Sequence, residues 1–146
     1  MSFRDVGLLR GRSLRMLESA KRSPGYGDYD IAAFMAEQAA QLFLKSVVFE
    51  VSGEMPHTHL IRQLFNALKL VLGKHEDIDR FVARNRSLLI RLEDAYINSR
   101  YVLREYEREE AEELVVFAEE VLRFVEGLRG KALTRWLESG APTLRE

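Results

Sequence analysis

Helix-breaking residues are rare in this chain and occur in only a few places. Its three prolines stand at positions 24, 56 and 142, and its nine glycines leave long stretches without a breaker. Because proline removes a helical hydrogen bond and glycine lowers helix stability, such stretches favour long helices. No segment shows the alternation of apolar and polar residues that a half-buried strand requires. The sequence therefore predicts an all-α protein.

Apolar periodicity and the residues that end it predict the first two helices. Helix one runs from about Phe3 to Arg22 and ends in residues 23–27, which contain Pro24 and two glycines. Helix two begins at a cap supplied by Asp28 or Asp30, ends at Gly53, and is apolar around most of its circumference. Since a helix that is apolar on all sides is normally buried, we expect this helix at the centre of the fold.

Two further helical segments follow. Thr58 is a suitable N-cap for a third, amphipathic helix that ends at Gly73. A fourth helical region runs from about Glu76 to Asn98, and its periodicity shifts near Asn85. The shift is consistent with a break there, but the periodicity does not place it.

The last long helix is predicted from Glu107 to Arg129, with an apolar stripe opposite many glutamates. For residues 131–146 we predict a C-terminal extension with a short helix docked by Trp136. Residues 1–130 then form an antiparallel bundle of four or five helices.

Composition limits the classes of protein that this chain can represent. With 146 residues, 47% apolar residues and no cysteine, it fits one globular domain without disulfides or thiolate zinc sites. The net charge of −1 does not imply a wholly basic surface, although residues 1–22 carry six bases and two acids. No uninterrupted apolar run of about 18 residues is present, so we expect a cytoplasmic protein without a membrane span.

Several blocks together resemble the HEPN domain over about residues 5 to 129. They are F-x-A-E-Q-A-A-x-x-x-L-K at 34–45, the turn at 53–59, Ser99-Arg100-Tyr101, and the final helix rich in Glu and Ala. The resemblance implies a helical bundle that forms a homodimer and often acts beside a small nucleotidyltransferase. Relatives include toxins, RNA-cleaving or RNA-binding proteins and accessory subunits.

One departure from the family pattern concerns catalysis. RNA-cleaving HEPN proteins resemble one another in an Arg followed, after four to six residues, by a His. Here Arg100 is followed at that spacing by Tyr106, and Arg84-Asn85 is followed by no histidine within residues 87–94. Because a tyrosine ordinarily titrates near pH 10, it is a poor proton carrier at neutral pH. The sequence therefore argues against ordinary HEPN ribonuclease chemistry.

Arginines near position 100 are candidate phosphate ligands. A guanidinium can form two hydrogen bonds to a phosphate, and the resemblance places Arg100 beside a cleft between two subunits. If the last helix began early, Arg104 and Arg108 would lie on the same face as Arg100 and extend a basic row. The alternative is that these arginines cap helix ends or pair with Glu105 to Glu113.

Polar residues on the central helix are further candidates. Glu37, Gln41 and Lys45 recur every four residues and so form one stripe. They either line the subunit cleft and contact a nucleotide, or form the helix's narrow strip of solvent-exposed surface.

Histidines and tyrosines complete the candidates. His57 and His59 cannot share one helix face, so we expect no metal there and expect both to form hydrogen bonds in the turn and at the helix start. The resemblance also places a histidine in this turn, which implies a positioning role near the cleft for His59. Tyr96, Tyr101 and Tyr106 either stack on bases or pack the joint between two helices. No glycine-rich phosphate loop or dinucleotide fingerprint appears in the sequence, and we expect no cofactor.

The leading hypothesis is a non-catalytic, dimeric HEPN protein that acts with a minimal nucleotidyltransferase in a toxin–antitoxin-like pair. Its nucleotide- or RNA-binding residues would be Arg100, Arg104, Lys45, Gln41, Glu37, Tyr101 and His59. One alternative is a metal-independent ribonuclease toxin that uses Arg100 and Tyr106. The other is a helical adaptor without a role in nucleic-acid binding.

Overall fold

A central helix contacts four of the other helices of the bundle. The computed structural model describes residues 2–73, 75–101 and 103–140, apart from the side chains of Arg100 and Tyr101. In chain order the helices of the described residues are α1 (Phe3–Arg22), α2 (Tyr29–Ser52), α3 (Ile61–Leu72), α4 (Glu76–Arg84), α5 (Arg86–Tyr101) and α6 (Arg108–Glu138), with a 3-10 turn at Ser23–Tyr26. The central helix is α2, which packs against α1, α3, α5 and α6. The predicted all-α class and the predicted central helix are confirmed.

Small side chains allow α2 to occupy this position. Five of its alanines are completely buried: Ala32, Ala33, Ala36, Ala39 and Ala40. An alanine places little bulk between two backbones, so neighbouring helices can approach closely. By length and composition α2 could also cross a membrane, but 67% of its most apolar stretch is buried inside the bundle. This burial is typical of a core helix.

Glycines end two of the predicted segments. Gly27 follows the 3-10 turn and Gly53 follows α2, and both have φ near +80°. Only glycine adopts this left-handed conformation without a steric penalty. The predicted ends of the first connection and of helix two are therefore confirmed.

One helix start and one break refine the prediction. α3 begins at Ile61, and Thr58 lies outside it, although the Thr58 hydroxyl accepts a 3.2 Å hydrogen bond from the Leu60 N–H. The prediction of Thr58 as N-cap is therefore wrong by two residues. The fourth helical region is divided at Asn85, whose side-chain amide donates a 3.0 Å hydrogen bond to the Phe81 carbonyl at the end of α4.

The C-terminal residues are helical but form no separate helix up to residue 138. α6 continues through Gly127 and Gly130 to Glu138, so the predicted short helix is the end of α6, and the proposed boundary at residue 130 falls inside it. Each interior glycine costs only about 1 kcal/mol, and the next proline is Pro142, so nothing in this stretch forces the helix to end. The rest of the predicted extension, residues 141–146, lies outside the described residues.

Candidate functional site

A groove of about 940 Å³ opens between α2, α5 and the connection that precedes α6. Its lining comes from four segments: α2, the connection before α3, the end of α5 and the connection before α6. Its polar and aromatic lining residues include Gln38, Gln41, Lys45, His59, Tyr96, Asn98, Arg104 and Tyr106. The structure thus brings five of the predicted site residues together: Gln41, Lys45, His59, Arg104 and Tyr106.

A continuous set of hydrogen bonds leads from the core into this groove. Gln41 Nε2 donates to Glu37 Oε2 at 2.7 Å, and Lys45 Nζ donates to Gln41 Oε1 at 2.9 Å. Lys45 Nζ also lies 2.9 Å from His59 Nδ1. Because the ammonium group can only donate, this contact requires an unprotonated Nδ1 on His59. We call Glu37, Gln41, Lys45 and His59 the polar ladder.

Burial decreases along the polar ladder from Glu37 to His59. The exposed fraction is 0% for Glu37 and 3% for Gln41, whereas Lys45 is half-buried and His59 is exposed. The alternative interpretation of the stripe as solvent-exposed surface is therefore wrong for Glu37 and Gln41. Their burial follows from the position of α2, which other helices cover on several sides.

Burial shifts the pKa values of Glu37 and Lys45. Desolvation raises the pKa of Glu37 to about 7, although hydrogen bonds from Gln41 and Gln38 and the charge of Lys45 oppose this shift. Desolvation also lowers the pKa of Lys45, and the carboxyl of Glu37 opposes that change. A buried carboxyl whose pKa is raised to about 7 therefore lies beneath the groove and is connected through Gln41 to the lysine that lines it.

Glu37 also lies near a second buried acid on α5. Glu93 is 4% exposed and accepts hydrogen bonds from the backbone N–H of Arg62 at 2.8 Å and from Arg62 Nη2 at 2.8 Å. Its negative charge contributes to the raised pKa of Glu37. Sequence reasoning missed Glu93 because it pairs with a residue 31 positions away.

The opposite wall of the groove is formed by Arg104 and Tyr106. Tyr106 is buried, and its hydroxyl accepts a hydrogen bond of 3.4 Å from Asn98 Nδ2 on α5. The Arg104 guanidinium lies 4.1 Å from the centre of the Tyr106 ring and forms a 2.6 Å ion pair with Glu110. Asn98 was not a predicted site residue, because only the conformation of the α5–α6 connection brings it to Tyr106.

The predicted basic row is not present on α6. Arg104 precedes the helix, which begins at Arg108, so these two arginines do not share a helical face. Arg108 instead donates to the Pro24 carbonyl at 3.2 Å and pairs with Glu112 at 3.0 Å. The alternative of local pairing is the correct one for Arg104 and Arg108. The side chains of Arg100 and Tyr101 lie outside the description.

Both described tyrosines of this set line the groove. Tyr106 also packs at the joint between α5 and α6, as one of the two interpretations predicted, and the ring of Tyr96 lies 6.0 Å from that of His59. In the part of the chain that the structure describes, no three His, Cys, Asp or Glu side chains form a group that could hold a metal ion.

These features define a class of protein: an α-helical bundle with a polar, partly basic groove beside its central helix. The model of the HEPN domain matches residues 6–128, and the chain belongs to the HEPN domain family. No curated protein was found to match. Among solved structures, TT1696 from Thermus thermophilus is similar, with 30% sequence identity and a TM-score of 0.68. The similarity covers 84% of this chain and 96% of that one.

Proposed function

We propose that this chain is a non-catalytic HEPN protein that binds a phosphate group of a nucleotide or RNA in the groove. In this proposal it acts as a homodimer in the cytoplasm, beside a minimal nucleotidyltransferase in a toxin–antitoxin-like pair. The observation that carries the proposal is that Lys45 and Arg104 line the same groove as the polar ladder.

Lys45 is the principal phosphate ligand in this proposal. Its ammonium group has three N–H donors, and within the described residues its hydrogen bonds are those to Gln41 and His59. A third donor can therefore bind a phosphate oxygen while the other two hold the side chain in place. Such preorganisation reduces the entropy lost on binding.

The packing of Tyr106 supports a binding role rather than cleavage. A general acid or base must reach the reacting atoms and exchange its proton near the working pH. The Tyr106 ring instead lies beneath Arg104, and its hydroxyl accepts a hydrogen bond from Asn98. RNA bound in the groove would accordingly remain intact.

Binding of a labelled 20-nucleotide RNA of mixed sequence, followed by fluorescence anisotropy, tests the groove. We expect Lys45→Gln to weaken binding about tenfold, because one charge-assisted hydrogen bond to phosphate contributes about 1.5 kcal/mol. Lys131→Gln, at an exposed position of α6, removes the same charge elsewhere and should leave the affinity nearly unchanged. Equal losses in the two variants would contradict binding in the groove.

Two outcomes would favour the alternative functions. RNA cleavage by the pure protein that disappears in Arg100→Ala would establish the ribonuclease and overturn the non-catalytic proposal. Failure to bind the RNA probe and ATP even at low salt, together with a stable complex with the nucleotidyltransferase, would instead favour an adaptor. Coexpression of this chain with a minimal nucleotidyltransferase encoded by a neighbouring gene, followed by size-exclusion chromatography, tests whether such a complex forms.

A further inference from the structure

Four arginines lie on the solvent-exposed face of α1. Arg4, Arg15 and Arg22 are separated by 11 and 7 residues, which places them within about 20° of one another around the helix. Arg12 flanks this line, and all four side chains are exposed. We call Arg4, Arg12, Arg15 and Arg22 the α1 arginine face. It extends over about 27 Å of helix.

These arginines form no ion pair in the described part of the chain, although the charge of Arg4 helps to lower the pKa of the adjacent Asp5. The two acids of α1 are engaged elsewhere, since Asp5 accepts from Ser2 in the capping box and Glu18 pairs with Lys21. Several arginines on other helices do form ion pairs, for example Arg62 with Glu93 and Arg129 with Glu50. The α1 arginine face thus has positive charge that the fold does not neutralise locally.

The other residues on this face favour a polyanion over an apolar partner. Gly7, Gly11, Glu18 and Ser19 lie between the arginines, and Glu18 pairs with Lys21. The large apolar side chains beside them are Leu8 and Leu14, 63% and 48% exposed, which lie on opposite sides of the row. A membrane-binding helix has a row of large apolar residues, and the centre of a protein interface is enriched in them. A phosphate backbone requires mainly arginine or lysine.

This face is separate from the groove. α1 contacts α2 on the side of Phe43 and Glu50, since Arg10 pairs with Glu50 at 3.1 Å and lies 5.8 Å from the Phe43 ring. The groove lies on the side of Gln41 and Lys45, each two residues from Phe43. Two residues correspond to about 200° around a helix, so α1 and the groove lie on nearly opposite sides of α2.

We propose that the α1 arginine face binds the sugar–phosphate backbone of a nucleic acid, independently of base sequence. Each guanidinium can contact one phosphate, and the length of the face allows several contacts along one strand. This contact is additional to any phosphate bound in the groove.

The test compares two triple variants with the same change in charge. One is Arg4→Gln/Arg12→Gln/Arg15→Gln, and the control is Arg84→Gln/Arg86→Gln/Arg135→Gln, whose arginines are also exposed and without ion pairs among the described residues. Affinity for the labelled 20-nucleotide RNA is measured from 25 to 200 mM salt, after circular dichroism has verified the helix content. We expect the α1 variant to lower the slope of log K against log salt by about 2, because each lost phosphate contact removes about 0.7. The control should lower it by less than about 0.5.

Equal changes in both variants would show an effect of net charge alone and overturn the proposal. Displacement of RNA by polyglutamate at equal charge concentration would also overturn it, because the face would then recognise acidic polypeptides. The outcome is independent of the groove, since Lys45→Gln tests that site separately. Loss of binding in Lys45→Gln with no change in the α1 variant would leave only the groove.

Discussion

Glu37 combines complete burial with a side chain that ordinarily is charged. Two amides, from Gln38 and Gln41, each donate to its carboxylate at 2.7 Å. These hydrogen bonds satisfy the carboxylate oxygens, but desolvation still raises the pKa to about 7. The sequence predicted that Glu37, Gln41 and Lys45 share a face, since this follows from helical spacing. It could not predict the burial, which depends on the helices that cover α2.

The raised pKa makes the stability of the protein depend on pH. Because the folded state binds the Glu37 proton more tightly than the unfolded state, Glu37 favours folding below pH 4.5. This contribution decreases between pH 4.5 and about 7. The total loss is up to about 3 kcal/mol. Glu37→Gln should remove much of this dependence, which urea unfolding at pH 5, 6, 7 and 8 would measure.

Other charged groups near Glu37 can also affect the pH dependence, so the experiment needs a control. Lys45 faces it from α2 and Glu93 from α5, and Glu93 is held by Arg62 of α3. The ion-paired Glu113, on α6, provides a control: Glu113→Gln should keep the pH dependence of the wild type. An unchanged pH profile in Glu37→Gln would contradict the assignment.

At the level of helices, α3 has an unusual N-terminal cap. Its N-cap residue, Leu60, has no side-chain acceptor, and Glu93 of α5 instead accepts the backbone N–H of Arg62. A carboxylate at this position also interacts favourably with the helix dipole. The sequence predicted Thr58 as the cap, because a sequence pattern identifies only capping residues that lie next to the helix start in the chain.

Glu93→Ala should destabilise the protein by about 2 kcal/mol, because the Arg62 N–H loses its acceptor and the guanidinium loses its partner. Chemical denaturation at pH 7 gives the free energy of unfolding. Glu113→Ala, which removes a more exposed partner of Arg91, should cost less than about 0.5 kcal/mol. Similar losses in both variants would refute a capping role for Glu93.

For the whole molecule, exposed apolar residues at the groove support the proposed homodimer. Ile31 and Leu103 line the groove and are 44% and 103% exposed, and Ile97 of α5 is 40% exposed. A second copy packed over this side would remove their apolar surface from water. Such a dimer would also enclose the groove between subunits.

Leu103→Glu should therefore shift the protein from dimer to monomer. We expect a dimer for the wild type in sedimentation velocity at micromolar concentration, and weaker association in Leu103→Glu because a buried charge opposes the contact. Leu70→Glu changes another highly exposed position, on α3 and 82% exposed, and should remain dimeric. A monomeric wild type would contradict the homodimer.

The sequence alone determined the all-α class, most of the helices and the centre of the bundle, because apolar periodicity and breakers act within a few residues. It also contained the residues through which the chain resembles its family. Only the tertiary structure decided that Gln41, Lys45, His59, Arg104 and Tyr106 share one groove. These residues come from three segments, namely α2, the connection before α3 and the connection before α6, and the distances between these segments depend on how the helices pack. The same packing buries Glu37, and the start of α6 at Arg108 separates Arg104 from the helical face on which a basic row was expected.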